Sequence, residues 1–508
     1  MRARPQNLLL LFLLGLTLFR LAMIGQFPLT MDEAYYWAWS QRPDIVYYEQ
    51  PGMCAWILWL ASGFFPHATP FSVRLPAVIL GLFSSWILYR AYRAFHDDEA
   101  EAAAFVMVIS FLPIYFAGGF LYEHDTPLMF FSSLSYYFIL KLLKKPTPAR
   151  WYLVSLALTA ALYSKFAAPF LILCFVLFIP LSRTLRPWLR RPHPYLAGLM
   201  STFLFLPVLI WNYRHDWMSV EHVAYLTRTG SMTLTDRFSH FFNYLGSQFF
   251  AYSPLLYLTL LAALVLAVRR YRKAREEPIL LLLTLSVPIL LYFFLQSFRS
   301  HVYGNWSAIG YLPALMLTMR ISATYLRLPF PAPFCFRRRF LFAGVILACF
   351  LSVSPLIQAR YHLFSPVMRR LEKALHLDDR LDERLDEELL GWPELAAAVE
   401  RSRGGTQFIL ARRYQIASIL EFYLPDHPQI YIYSEGRRRS QFDLWTDFNL
   451  LQGKTGLFVD VRPIPTDLAD QCQSLVPLEK PLKILDQGEV RKRFFIYRCE
   501  GFRAHPVD

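Results

Sequence analysis

The sequence predicts an α-helical polytopic membrane protein that ends in a small soluble α/β domain. Three observations carry this expectation. Charged residues make up 18% of the chain and hydrophobic ones 55%, against about 25% charged in an average soluble protein. Mean hydropathy is positive, at +0.30. The apolar residues come in blocks of roughly 20, the length a helix needs to cross a hydrocarbon core.

Eleven candidate spans are centred near Leu16, Leu82, Ile109, Ser133, Leu158, Cys174, Phe205, Leu258, Leu290, Leu315 and Ile346. The first, Leu8 to Ile24, follows a basic start. It lacks a small-residue cleavage site, so it reads as a retained helix rather than a signal peptide. A shorter apolar stretch, Met53 to Phe65, suits a helix lying along the interface. Between the spans, alternate loops are basic: "YRAYR" (89–93), "KLLKKPTPAR" (141–150), "SRTLRPWLRR" (182–191), "VRRYRKAR" (268–275) and the run 320–339. The opposite loops are poor in Lys and Arg. This alternation runs in phase with eleven spans and puts the stretch after the first span, the loop at Asp125, the loop from Trp211 to His240 and the loop at His301 on one outer face. The net charge of +14 therefore serves orientation, and no basic domain suggests nucleic acid.

These expectations divide the chain into a membrane domain (1–360), a charged helical connector (361–391) and a soluble domain (392–508). In the last, a helix "WPELAAAVERSR" leads to a strand at 406–411, a second helix "YQIASILEFYL", and strands at 429–434, 456–462 and 493–499. Strand–helix–strand order argues a partly parallel sheet. There is no glycine-rich phosphate loop. The six cysteines show no metal spacing, and Cys472 and Cys499 share the soluble region, where an oxidising compartment would allow a disulfide.

Ionisable groups near membrane depth are expensive and tend to mark a functional path. Asp32, Glu33, Glu49, Gln50, Asp125, Lys165, His301 and Asn305 all fall at the outer ends of spans. Each has a plain structural alternative. Asp32, Glu33 and Asp125 suit helix N-termini, Lys165 a snorkelling lysine, His301 an ordinary loop histidine, and Tyr35 to Trp39 an interfacial aromatic belt. The functional expectation rests on their joint placement.

"MDEAYYWAWSQ" followed by "YYEQPGMCAW" resembles the first outer loop of the GT-C glycosyltransferases that use polyprenyl-phosphate sugars, nearest to the ArnT-like family related to protein O-mannosyltransferases. The likeness continues through "HDTPLMFF", "YSKFAAPF", "HVYGNW", "GWPELAAAV" and "RYQIASILEFYL", in the expected order over nearly the whole chain. It implies a GT-C fold and transfer of a sugar from a polyprenyl-phosphate donor to a lipid or envelope-glycan acceptor, lipid A-like, on the periplasmic face of a bacterial inner membrane, by a monomer. Asp32, Glu33 and Asp125 become the catalytic candidates, with Asp32 matching the family's general base or acceptor-positioning acid. Lys165, Gln50, Arg299 and Tyr35 become candidates for the donor phosphate. Glu49 and His301 become candidates for a divalent cation, which the resemblance admits as cofactor. Two positions depart from the pattern: Gln50 stands where Lys or His is usual, and Gly52 replaces a proline.

The chemistry asks for these residue types independently. A carboxylate within hydrogen-bond reach takes the acceptor's proton, and cations stabilise the departing phosphate. One attack, with one base and no covalent intermediate, inverts the anomeric centre. A flippase for a lipid-linked sugar would instead require charged mid-span residues and internal repeats, which are not evident. An inactive GT-C-like scaffold is the other alternative, raised by Gln50.

Overall fold

Seven helices in the computed structural model are long and apolar enough to cross a membrane: Pro5–Met23, Pro70–Phe95, Asp125–Lys144, His193–Arg214, Pro254–Ala274, Glu277–Gln296 and Arg338–Tyr361. The structure describes residues 4–228, 232–327, 333–368, 370, 387–433, 439–463, 468, 470–478, 480–486 and 488–503. All eleven predicted span centres fall on helices, but four of those helices miss the criterion for a full span. Glu99–Ile109, Pro148–Ser164 and Pro169–Leu181 are short, and Ala308–Arg327 carries Arg320 and Arg327. The chain is thus a multi-pass membrane protein, with seven helices among the described residues that meet the length and composition of a full span.

The stretch 211–240, read as a loop, holds the helix Met218–Thr227 and the start of Leu234–Tyr252. Thr233 and Asp236 close a capping box there, so two backbone N–H groups at the helix start are satisfied locally. The predicted interfacial helix forms over Met53–Ser62, with Trp59 and Leu60 exposed. Most of the connector, residue 369 and residues 371–386, lies outside the described residues.

The chain separates into two compact units. The first comprises 1–24, 50–54 and 74–354; the second comprises 25–49, 55–73 and 355–508. The stretch after the first span, expected within a 1–360 membrane domain, therefore belongs with the C-terminal region.

In the first unit, Tyr136 on Asp125–Lys144 donates a hydrogen bond to the carbonyl of Ile309 on Ala308–Arg327, tying together the two helices that begin beside Asp125 and Asn305. Farther along, Glu101 is buried and accepts from Tyr92 (2.9 Å), Arg320 (3.1 Å) and Arg327 (3.0 Å). Asp98, which caps Glu99–Ile109, also pairs with Arg327 at 2.8 Å. This charge knot fastens the less apolar helix Ala308–Arg327 to its neighbours.

The second unit holds a six-stranded mixed sheet: β1 (Phe408–Ala411), β2 (Ile430–Ile432), β3 (Gly456–Asp460), β4 (Ser474–Pro477), β5 (Leu482–Asp486) and β6 (Glu489–Glu500). The order is β2-β1-β3-β6-β4, and β5 pairs with β6. β1 runs parallel to β2 and β3, while β6 is antiparallel to β3, β4 and β5. The parallel core matches the strand–helix–strand expectation; β4 and β5, short and rich in charge and proline, were missed. Cys472 and Cys499 are joined by a disulfide, with Cα atoms 5.5 Å apart.

Candidate active site

The predicted site residues divide between the two units. In the first, the helix Pro148–Ser164 stops at Lys165, whose backbone is extended (φ −162°, ψ 143°). Its side chain is 4% exposed and its Nζ lies 2.8 Å from Asp125 Oδ1. Asp125 opens its own helix, in the first turn where a negative charge is favoured by the helix dipole. Its Oδ2 accepts from Asn305 Nδ2 at 2.6 Å and lies 3.7 Å from His124 Nε2. Lys165, Asp125 and Asn305, far apart in sequence, thus form one group, with Lys165 buried and Asp125 and Asn305 partly buried.

Gln50 joins the same unit. Its Oε1 accepts from the backbone N–H of Phe166 at 3.0 Å, so it holds the chain directly after Lys165. A Lys or His at this position could not accept in that way unless the His were neutral. The carbonyl end of Gln50 is thus a positioning group, while its amide N–H groups are separate donors. Arg299 is exposed, as is His301, whose ring stands 4.7 Å from that of Tyr303 and 5.8 Å from that of His240.

In the second unit, the helix Met31–Gln41 starts with a capping box in which Thr30 and Glu33 satisfy each other's backbone N–H groups. Glu33 is fully buried, and its carboxylate serves the helix cap. Asp32 points elsewhere: its Oδ1 accepts from the Tyr414 hydroxyl at 3.3 Å. Glu388 lies close by, accepting from the N–H of Met31 at 3.4 Å. Burial, and then the charge of Asp32, push the Glu388 carboxyl up to about 7.

Tyr35 was expected at the phosphate. Its hydroxyl instead lies 2.8–2.9 Å from both Glu49 oxygens and accepts from the Gln441 N–H at 2.7 Å. Burial and the Glu49 charge raise the Tyr35 pKa well above its usual value, so it stays a donor and fixes the Glu49 carboxylate. Gln441 Oε1 also accepts from the N–H of Tyr48 at 2.7 Å. The aromatics Tyr35 to Trp39 form no lipid-facing belt. Each is at most 6% exposed; Tyr35 packs on Tyr414 at 4.4 Å and Trp37 on Phe422 at 5.0 Å. The helix Tyr414–Tyr423 covers this face with apolar and aromatic side chains, removing it from contact with lipid.

Within its own unit, neither Glu49 nor His301 belongs to a group of three side chains close enough to share an ion. The one such group among the described residues is His96, Asp98 and Glu101, whose acids Arg320 and Arg327 already neutralise.

Sequence reading missed Tyr414, Gln441, Glu388 and Arg20. The first three lie about 350 to 400 positions from their partners and carry no local signal. Arg20 did carry one: it is a charge inside "LTLFRLAM".

A family model described as dolichyl-phosphate-mannose-protein mannosyltransferase matches residues 49–211. Over 326 residues the chain is 25% identical to the lipid A galacturonosyltransferase RgtD of Rhizobium johnstonii, covering 63% of this chain. The match spans 66% of that relative's length, just under two thirds. ArnT from Cupriavidus metallidurans bound to undecaprenyl phosphate superposes with a TM-score of 0.60 over 96% of this chain and 97% of that one, at 15% identity. Its apo state gives the same TM-score at 14% identity. The chain shares the fold of ArnT. That fold likeness accounts for the architecture, a helical membrane region and a C-terminal region built on a small mixed sheet.

Proposed function

We infer that this ArnT-like protein transfers a sugar from a polyprenyl-phosphate carrier to a lipid acceptor of the lipid A type. The Lys165–Asp125–Asn305 group, with its buried lysine, is the observation that carries the reading. A lysine held by one carboxylate uses one of its three N–H donors there and keeps two for a phosphate oxygen. The fold shared with an ArnT bound to undecaprenyl phosphate and the likeness to a lipid A galacturonosyltransferase support the donor and acceptor classes.

In the proposed reaction an acceptor hydroxyl attacks the anomeric carbon. The new C–O bond forms as the bond to the carrier phosphate breaks; the proton passes to Asp32 and the phosphate leaves with the bonding pair. The configuration inverts. Asp32 suits the base role because its hydrogen bond from Tyr414 orients it while Glu33, not Asp32, carries the helix cap. Lys165 stabilises the charge developing on the phosphate. No step is routed through a metal. The basic-loop alternation and the Cys472–Cys499 disulfide, which needs an oxidising compartment, support a periplasmic C-terminal region on a bacterial inner membrane.

An Asp32→Asn variant in lipid nanodiscs, supplied with undecaprenyl-phosphate-linked sugar and lipid A, tests the reading. A general base contributes about 10²–10⁴-fold, so transfer should fall by that factor. Transfer at the wild-type rate would remove Asp32 from the mechanism.

A further inference from the structure

The proposed reaction leaves one buried cation without a task. Arg20 lies in the last turn of Pro5–Met23 and is 4% exposed. Among the described residues its side chain has no carboxylate partner, and its Nε makes no hydrogen bond. The nearest ring is Phe116, 5.9 Å from the guanidinium carbon. A charge inside a membrane helix marks a functional site by default, because an unpaired one destabilises the fold until something completes it.

The first unit is built around this group. A Cβ on Gly119 would fall 2.4 Å from the guanidinium carbon and 2.5 Å from both terminal nitrogens, and one on Gly81 would fall 3.3 Å from Nη1. Only glycine at 119 lets the guanidinium lie where it does. There it lines a cavity of about 90 Å³, several times the roughly 10–15 Å³ that a single water needs. Asp125, Asn305, Ser110 and Ser133 line the same cavity. The hydroxyls of Ser110 and Ser133 donate to the carbonyls of Val106 and Met129, so they offer only lone pairs to an occupant. Asp125, the one acid on the wall, has Lys165 and Asn305 on its two oxygens. The fork of Arg20 is therefore the one cation among the residues lining this space, beside the Tyr115 hydroxyl as a second donor.

We propose that this cavity is an oxyanion pocket, in which Arg20 binds an anionic group of the glycosyl donor: the carboxylate of an acidic sugar or the phosphate of its carrier. A planar guanidinium pairs both in two-point fashion. The proposal rests on the donor class inferred above and adds the residue that reads its charge.

The test uses the full chain in nanodiscs, wild type beside Arg20→Met and Arg20→Lys. Thermal shift and binding titrations follow three probes: undecaprenyl phosphate, galacturonate and galactose. The wild type should bind at least one anionic probe and prefer galacturonate to galactose if the sugar supplies the charge. Arg20→Met should weaken the anion by about tenfold or more and leave galactose unchanged, with an unfolding temperature no lower than wild type, since an unpaired buried charge has gone. Arg20→Lys should lose several-fold, its point charge lacking the fork. Loss confined to galacturonate assigns the sugar carboxylate; loss confined to undecaprenyl phosphate assigns the carrier. A folded Arg20→Met that binds both anions as tightly as wild type overturns the pocket, and if that variant does not fold, full affinity in Arg20→Lys overturns two-point binding. A wild type that ignores undecaprenyl phosphate but prefers galacturonate defeats the donor reading and leaves the pocket standing.

Discussion

Removing both members of the Lys165–Asp125 pair should cost clearly less than the two single removals added together. Lys165 is 4% exposed and its ammonium sits 2.8 Å from Asp125. In Asp125→Asn the lysine keeps its charge and loses its counter-ion, while the new amide faces the Asn305 amide across 2.6 Å of former hydrogen bond. Breaking a buried pair from one side costs about 3–5 kcal/mol, whereas replacing both partners with groups of similar volume is often nearly neutral. Asp125→Asn and Lys165→Met should each be destabilised by about 3 kcal/mol, and the double variant by clearly less than their sum of about 6 kcal/mol, a coupling of roughly 2–4 kcal/mol. Reversible unfolding in mixed micelles measures all four corners of the cycle, and sugar transfer from undecaprenyl phosphate is followed in parallel. All three variants should lose transfer even where the double variant regains stability, because the cation offered to the phosphate is gone or misplaced. Strictly additive stability losses would refute the pair; a double variant with full transfer would refute its role.

Other expectations follow from single contacts. The Glu388 carboxyl rises from the usual 4.5 to about 7, so the folded state binds its proton more tightly. That stabilisation is complete below pH 4.5 and lost as pH rises through 7, up to about 3 kcal/mol. Glu388→Gln should flatten the unfolding-temperature profile between pH 5 and 8, and an unchanged profile would contradict the burial of this acid beside Asp32. Glu101→Gln should destabilise the membrane unit by about 2–4 kcal/mol, since Arg320 and Arg327 lose a buried counter-ion; wild-type resistance to denaturant would count against the knot. Reducing the Cys472–Cys499 bridge, which spans 27 residues, should cost about 3–4 kcal/mol, seen as earlier proteolysis of the C-terminal region in dithiothreitol. Tyr35→Phe leaves the buried Glu49 without its hydroxyl donor and should lower transfer more than it lowers the unfolding temperature, an order the assay can reverse.

How much of this was legible in the chain varies by the kind of interaction. Apolar blocks report helices directly, so every predicted span centre landed on one; their lengths did not follow, because Pro148–Ser164 and Pro169–Leu181 hold only 17 and 13 residues. The acids after the first span were identifiable as a group but not by role. Choosing Glu33 over Asp32 as the cap depends on which carboxylate reaches the Thr30 N–H, and both sit in the first turn.

By itself the sequence determined what depends on neighbours along the chain: the apolar blocks, the alternating basic loops and the β1–β2–β3 order. Tertiary structure decided what depends on distant partners. It buried the Tyr35–Trp39 aromatics against Tyr414, Phe422 and Phe442, gave Gln50 the N–H of Phe166, and left Arg20 unpaired on a cavity wall. A side chain's charge can be read from sequence; whether it finds a counter-ion is set by packing across hundreds of residues, since ion pairing acts only over a few ångströms.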